Sequence, residues 1–318
     1  FYGDLAYQTY ITDYDTSTGF YSTRMNSPTI FQDHQINRKG RVGEYSIAVS
    51  GNYNQKFYIG GSIGIPKVFF EENKTHYEIE IADSSEFAHS FTFNENNQTN
   101  GNGINAKIGC ILLPNQWLRL GFAYHTRTFY NLSDNWNTSM RSRVSETETY
   151  SYSSYDGNYR YQLTTPSKII GSASVIIAKK ALLSLDYSRI NHSQARLSPD
   201  TYYGSNYNFS NENNTIDTNY RASNNIQIGS EMKIGDFYMV RAGYAIFQNP
   251  YSSINDNSFN RNSYSLGVGY RNKKYFFDLG GRYSTWKENY YMYDPSIVDN
   301  AEMVKSMLNL SFTVGFKW

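Results

Sequence analysis

The chain has 318 residues and a formal charge of +1, a balance that points away from a nucleic-acid partner. Aromatic residues set it apart: 31 Tyr, 19 Phe and 4 Trp make 17% of the sequence. No apolar run approaches the roughly 18 residues a membrane helix needs, so a helical span is excluded. A β-barrel stays open, because its wall shows lipid only every second side chain and gathers aromatic rings at both interfaces.

Phe1 opens the chain with no charged n-region and no apolar signal core, and a removed export signal is expected. Residues 1–41 are expected to form an extracellular loop or an incomplete N-terminal part. Residues 42–318 are expected to form a transmembrane β-barrel with long extracellular loops. Alternating apolar and polar residues predict wall strands at about 42–53, 56–65, 103–113, 116–127, 158–177, 181–190, 223–233, 237–247, 262–271, 274–285 and 306–318. Each carries one apolar face, such as Tyr45, Ile47 and Val49 in the first or Tyr264, Leu266 and Val268 in the ninth.

Connections alternate in length. Tight turns are expected near Asn54-Gln55, Pro114-Asn115-Gln116, Lys179-Lys180, Gly235-Asp236 and Asn272-Lys273. Long connections rich in Asn, Ser, Tyr and Asp are expected over about 66–102, 128–157, 191–222, 248–261 and 286–305. Within the first of these, 76–83 and 90–94 also alternate, as an external hairpin or as extensions of the wall. Short turns on one rim and long loops on the other are the habit of outer-membrane barrels.

The last strand is the clearest. Leu308, Leu310, Phe312, Val314, Phe316 and Trp318 share one face, and Asn309, Ser311, Thr313, Gly315 and Lys317 share the other. About ten such residues, tilted, cross a bilayer. Single-chain bacterial barrels have an even number of strands, so the odd series predicted here leaves an odd number upstream. The expectation is that the 318 residues are not the whole mature protein, or that 1–41 hides further strands.

Strand charges on the polar face include Glu44, Lys107 and Lys317. They also include Arg119, Asp186, Glu231, Arg241, Asp278 and Arg282, taken as a candidate lumenal charge network. Charges at membrane depth must meet water or one another, so an ion-pair ladder is the favoured reading over Arg119 or Arg241 holding a substrate carboxylate. The loop aromatics Tyr150, Tyr152, Tyr202, Tyr203, Tyr290, Tyr291 and Tyr293 suit an apolar ligand mouth or a protein interface, and both remain open. His34, His76, His89, His125 and His192 form no metal-binding or catalytic motif in sequence, so no catalytic residue, metal ligand or cofactor is expected. Cys110 reads as a small hydrophobe on a strand face.

Four segments carry a resemblance: Asn100-Gly-Asn-Gly-Ile-Asn-Ala-Lys-Ile-Gly109 leading through Pro114 to Leu118-Arg-Leu-Gly-Phe-Ala-Tyr124; Tyr161-Gln-Leu-Thr-Thr-Pro166 leading to Ser184-Leu-Asp-Tyr187; Arg241-Ala-Gly-Tyr-Ala245 followed by Pro250; and Ser265-Leu-Gly-Val-Gly-Tyr-Arg271 followed by Asp278-Leu279. In this order they resemble the FadL/TodX-type outer-membrane transporters of hydrophobic compounds. The resemblance implies an all-β, antiparallel, fourteen-stranded barrel in the outer membrane of a Gram-negative bacterium, about eleven of whose strands lie in this chain. It also implies an N-terminal hatch inside the lumen, whose Asn-Pro-Ala-type motif is absent from this sequence. Arg127 stands where such proteins usually have Pro.

By the same resemblance, Phe312, Phe316 and Trp318 form the C-terminal signal read by the barrel-assembly machinery. Outer-membrane lipid and lipopolysaccharide surround the wall. The function implied is passive uptake of a hydrophobic small molecule, of fatty acid or aromatic hydrocarbon type, caught by the outer loops. Two other readings stand beside it: a non-transporting barrel serving as structural or adaptor subunit of an outer-membrane protein complex, and a general porin. No enzyme is expected.

Overall fold

A computed structural model describes residues 2–25, 27, 29–81, 89–200, 207–254, 256–293 and 298–316. Expectations placed on Tyr202, Tyr203 and Trp318 lie outside the described residues. The chain opens with helix α1 (Tyr2–Gln8) and a small hairpin, β1 (Thr12–Asp15) with β2 (Phe20–Thr23). Then come the long strands β3 (Ile30–Tyr53), β4 (Phe57–Glu80) and β5 (Ser90–Leu112). Shorter ones follow: β6 (Leu118–His125), β7 (Phe129–Arg143), β8 (Thr149–Ser153), β9 (Gly157–Thr164), β10 (Lys168–Ile177), β11 (Ala181–Asn191) and β12 (Arg196–Pro199). Helix α2 (Ser210–Asn219) precedes β13 (Ala222–Ile234), β14 (Tyr238–Phe247), β15 (Arg261–Arg271), β16 (Tyr275–Tyr290) and β17 (Ala301–Phe316).

Eleven of these strands form the wall, in the order β3, β4, β5, β6, β10, β11, β13, β14, β15, β16, β17, each antiparallel to its neighbour. They correspond one to one with the series that alternation predicts. A single row of paired residues crosses all of them: Tyr53, Phe57, Leu112, Leu120, Ala173, Leu185, Ile228, Tyr244, Tyr264, Tyr283 and Leu308. Paired residues share a face, so this row marks the outside. That side is apolar and open to its surroundings, with Ile47 82% and Leu310 74% exposed. A surface of this kind is stable only in hydrocarbon, and the hydrogen-bonded strands satisfy the backbone there.

Turn chemistry fixes the register. Asn54 and Gln55 have φ of 51° and 54°, and Ala178 and Lys179 have 49° and 57°, so each pair makes the left-handed turn whose twist suits a hairpin. The closing bonds run from Lys56 N to Tyr53 O at 3.1 Å and from Lys180 N to Ile177 O at 3.0 Å.

Beyond the membrane the structure departs from expectation. The stretch 66–102, expected as a long connection with 76–83 and 90–94 as an external hairpin or wall extensions, is mostly strand, and the described parts of both segments extend β4 and β5: β3, β4 and β5 run 24, 24 and 23 residues. About 9–11 residues suffice to cross a bilayer, so the rest must stand above it. β5 is shared, its membrane half pairing with β6 and its outer half with β7. The strand predicted at 158–177 is two, β9 and β10, parted at Thr165-Pro166-Ser167, where proline removes a ladder donor. β9 pairs with β7 and β12, and β8 also pairs with β7. The result is a tower over one side of the wall.

In the tower the apolar face changes sides while the register continues. Ile104 and Phe129 are paired and outward; the next outward pairs are Asn102 with Asn131, Asn100 with Ser133, Gln98 with Asn135 and Asn96 with Asn137. Leu132 and Met140 face inward and are buried. Against this inner surface packs α1, with Leu5, Ile11 and Met25 also buried, and the Ser142 hydroxyl donates to the Thr9 carbonyl. A water-facing core therefore exists, and it sits outside the membrane. Among the described residues no helix is long and apolar enough to cross a membrane, which says nothing of a barrel.

Candidate functional site

The inner face of the wall is built from small residues. Ser184, Gly229, Gly243 and Ser265 are successive partners across β11, β13, β14 and β15, and Gly267 and Gly280 pair across β15 and β16. Over them lies a cavity of about 640 Å³. Arg241 is its centre: Nε meets Glu231 Oε2 at 2.7 Å and Nη1 meets Asp278 Oδ1 at 2.5 Å. Gly269 makes the second contact possible, since a Cβ there would stand 2.5 Å from Asp278 Oδ1. Both carboxylates remain partly exposed to the lumen, so each pair contributes about 1 kcal/mol rather than the several that full burial would set at stake.

Of the six charges expected in a network, the structure brings three into contact. Asp186 and Arg282 line the same cavity, and Arg119 lies on the same face, one partner beyond Ser174. No ion pair among the described residues joins Arg119, Asp186 or Arg282. Glu44 and Lys107, also inward, pair with each other across β3 and β5, and Asn105 Nδ2 donates to Glu44 at 3.0 Å. Phe312 and Phe316 stand on the outer face of β17, opposite Leu279 and Tyr275.

Toward the long-loop rim the inner face turns aromatic. A cavity of about 720 Å³ is lined by Phe247, Pro250, Tyr251, Ile254, Phe259, Trp286 and Tyr291. Phe247 and Arg261 are partners across β14 and β15, three residues from the outward Tyr244 and Tyr264 and hence on the opposite face. The Arg261 guanidinium lies 4.5 Å from the Phe247 ring centroid, and among the described residues no carboxylate pairs with it. The other charges at this cavity are engaged: Arg38 with Glu72 and Glu288 with Lys305 inside, and Lys287, at the rim and on the outward side of β16, with Glu302 at 2.6 Å. Phe247 closes the predicted strand 237–247 without being singled out, and Arg261 and Trp286 fall in the connections expected over 248–261 and 286–305, so alternation marks none of the three.

Of the predicted loop aromatics, Tyr291 lines this rim cavity and the other described ones divide between two further places. Tyr150 on β8 lies 4.5 Å, centroid to centroid, from Tyr10 of the N-terminal segment, and Tyr152 follows it, partly exposed. Tyr290 and Tyr293 belong instead to a tie that sequence inspection missed. His34 and His76 are equidistant from the turn at Gln55, and their Nδ1 atoms meet at 3.2 Å. His76 Nε2 is 2.8 Å from Glu78 Oε1, Tyr293 donates to the same carboxylate, and Gln32 Nε2 donates to the Tyr293 hydroxyl at 2.6 Å. The network assigns Nε2–H to His76 and Nδ1–H to His34.

Electrostatics follow from that geometry. The hydrogen bond from His76 holds Glu78 below the usual carboxylate range, and burial, then Glu78, pushes the Tyr293 phenol up. Burial, then His76, lowers His34. The tie joins β3 and β4 to the segment between β16 and β17, the first and last hairpins of the wall. The extension of the first hairpin beyond residue 42 is what brings the histidines together, and alternation marks it on the β4 side at 76–83 but not over residues 30–41 of β3. Among the described residues no group of three or more His, Cys, Asp or Glu is placed to hold a metal ion.

A third aromatic cluster closes the tower: Tyr159, Tyr161, Tyr207 and Phe209, with Tyr207 and Phe209 centroids 4.9 Å apart. Burial, reinforced by Asp134, raises the Tyr161 phenol.

A family model described as "Outer membrane protein transport protein (OMPP1/FadL/TodX)" matches residues 38–309. Among solved structures, a FadL homologue of Pseudomonas aeruginosa is similar at a TM-score of 0.50 and 12% identity, over 85% of this chain and 77% of that one. The toluene transporter TodX of Pseudomonas putida gives 0.42 at 8% identity, over 90% and 87%. The toluene transporter TbuX of Ralstonia pickettii gives 0.42 at 10%, over 88% of each chain. No curated protein matches the sequence.

Proposed function

Because this chain belongs to the OMPP1/FadL/TodX family of outer-membrane transport proteins, we propose that it is a passive uptake channel for hydrophobic small molecules that carry an acidic end, of the fatty acid type. The observation that carries the reading is Arg261, a cation without a carboxylate partner in an aromatic-lined cavity at the outer rim. Aromatic and aliphatic side chains take the apolar body, which gains from leaving water. The guanidinium takes the carboxylate through charge-assisted hydrogen bonds, and Phe247 beneath it keeps it extended into the cavity. Arg241 serves a different purpose, since Glu231 and Asp278 already balance its charge.

The test compares two ligands of equal chain length, a monocarboxylate and the matching primary alcohol. Arg261→Gln should weaken carboxylate binding at least tenfold, the scale of one hydrogen bond to a charged group, and leave the alcohol unchanged. Equal affinities for wild type and variant, or equal losses for both ligands, would remove the acidic end from the proposal.

One observation supports the adaptor reading. Helix α1 packs on the inner side of the tower against β7 and β8, as a plug rather than a free mouth would. An adaptor copurifies with protein at fixed stoichiometry, whereas a channel copurifies with bound ligand.

A further inference from the structure

We propose that the outer face of the β3–β4 hairpin holds a phosphate of the lipopolysaccharide that surrounds the wall, through Arg41 and Lys67. The site depends only on the membrane placement of the wall and is independent of what the channel carries. Arg41 is opposite Phe69, and Lys67 is two residues from Phe69 on the same strand, so the two cations are diagonal neighbours roughly 7–8 Å apart at Cα. Both stand on the outward face, immediately above the exposed apolar residues Tyr45, Ile47 and Val49. This is the height of lipid headgroups. Each cation is set against an aromatic ring: the Arg41 guanidinium 5.7 Å from the Phe69 centroid and the Lys67 ammonium 5.6 Å from that of Tyr45.

What distinguishes the two is that no carboxylate among the described residues pairs with either. Other outward cations near this height are engaged: Lys39 with Glu71 at 2.9 Å, Lys287 with Glu302 at 2.6 Å, and Arg189 donating to Asn224 Oδ1 at 3.3 Å. Next to the pair the outer surface becomes carboxamide, with Asn102 opposite Lys67 and Asn100 opposite Phe69. An uncompensated double positive charge at the lipid boundary, bordered by hydrogen-bonding amides, is complementary to a phosphorylated sugar headgroup anchored in the outer leaflet.

Native mass spectrometry of the purified full chain, titrated with bisphosphorylated lipid A and with its dephosphorylated counterpart, tests this. Each surface cation contributes roughly fivefold to anionic-lipid affinity, so Arg41→Gln with Lys67→Gln should weaken bisphosphorylated lipid A about thirtyfold. Lys179→Gln with Lys180→Gln, at the opposite rim, should change nothing. Heat-modifiable migration on gels checks that each variant is assembled. If the double variant does not assemble, wild type decides: about 0.05 to 0.5 M salt should release the bisphosphorylated lipid and leave the dephosphorylated one bound. Undiminished binding by the double variant, equal retention of the dephosphorylated lipid, or salt-insensitive retention would overturn the proposal.

Discussion

The wall and the tower share β3, β4 and β5 and bury opposite things. On β5 and β7 the outward positions are Ile104 and Phe129 in the membrane and Asn131, Asn135 and Asn137 a few residues further out. Leu310 in the wall is 74% exposed, while Leu132 in the tower is 7% exposed. Burial class alone would call the first misplaced and the second normal. Each residue is correct for its solvent, since hydrocarbon meets the outer face of the wall and water meets the outer face of the tower. The change between Ile104 and Asn102 marks where the lipid ends.

Three experiments probe that contrast. The largest effect belongs to the water-facing core: Leu5→Ala, at a site 1% exposed, should cost about 2–5 kcal/mol of docking for residues 2–25. Limited proteolysis should then cut this segment while thermal unfolding of the wall is unchanged. Loss of the wall along with it would show that the two regions are one cooperative unit. Next, Leu310→Arg on the lipid face should destabilise the wall by about 2–4 kcal/mol, whereas Asn135→Arg on the tower's outer face should stay within about 0.5 kcal/mol. Equal penalties, measured by reversible unfolding in lipid, would erase the boundary drawn here.

The smallest effect concerns the rim tie. His34 is held below its ordinary value of 6.5, so the folded state resists a proton that the unfolded state takes up. The tie is therefore at full strength above about pH 6.5 and weakens as pH falls below it. Glu78, held low by His76, adds a second loss below its ordinary 4.5 as it takes up a proton. Amide exchange at residues 290–293, corrected for intrinsic rates, should be faster at pH 5.5 than at 7.5. Unchanged exchange would mean that the histidines do not hold this segment.

The membrane staves were legible because lipid on one side and a polar lumen on the other write a period of two into each strand. The tower was not, because its outer face is asparagine and its inner face mixes Thr99, Asn97 and Glu95 with Phe93, so hydrophobic alternation vanishes although the ladder continues. The same limit hid the rim tie. His34 lies in the N-terminal part expected as loop and His76 opens an alternating segment whose partner strand was left open, and only two continuous 24-residue strands make them partners. Charge sites were legible as inward positions and not as pairs: strand parity gives a face, whereas the contact of Arg241 with Asp278 depends on Gly269 being bare.

The seam between wall and tower has its own consequence. Residues 126–128 and 165–167 interrupt two neighbouring strands at one height, and threonine hydroxyls bridge the break: Thr126 Oγ1 accepts from Ala106 N at 2.9 Å and Thr165 Oγ1 from Thr128 N at 3.0 Å. A hydroxyl rotates about its bond, whereas a strand ladder does not bend without loss. The break is one-sided, since β3, β4 and β5 pass the same height uninterrupted and keep the collar joined to the staves, so any give between the two is confined to the threonine side.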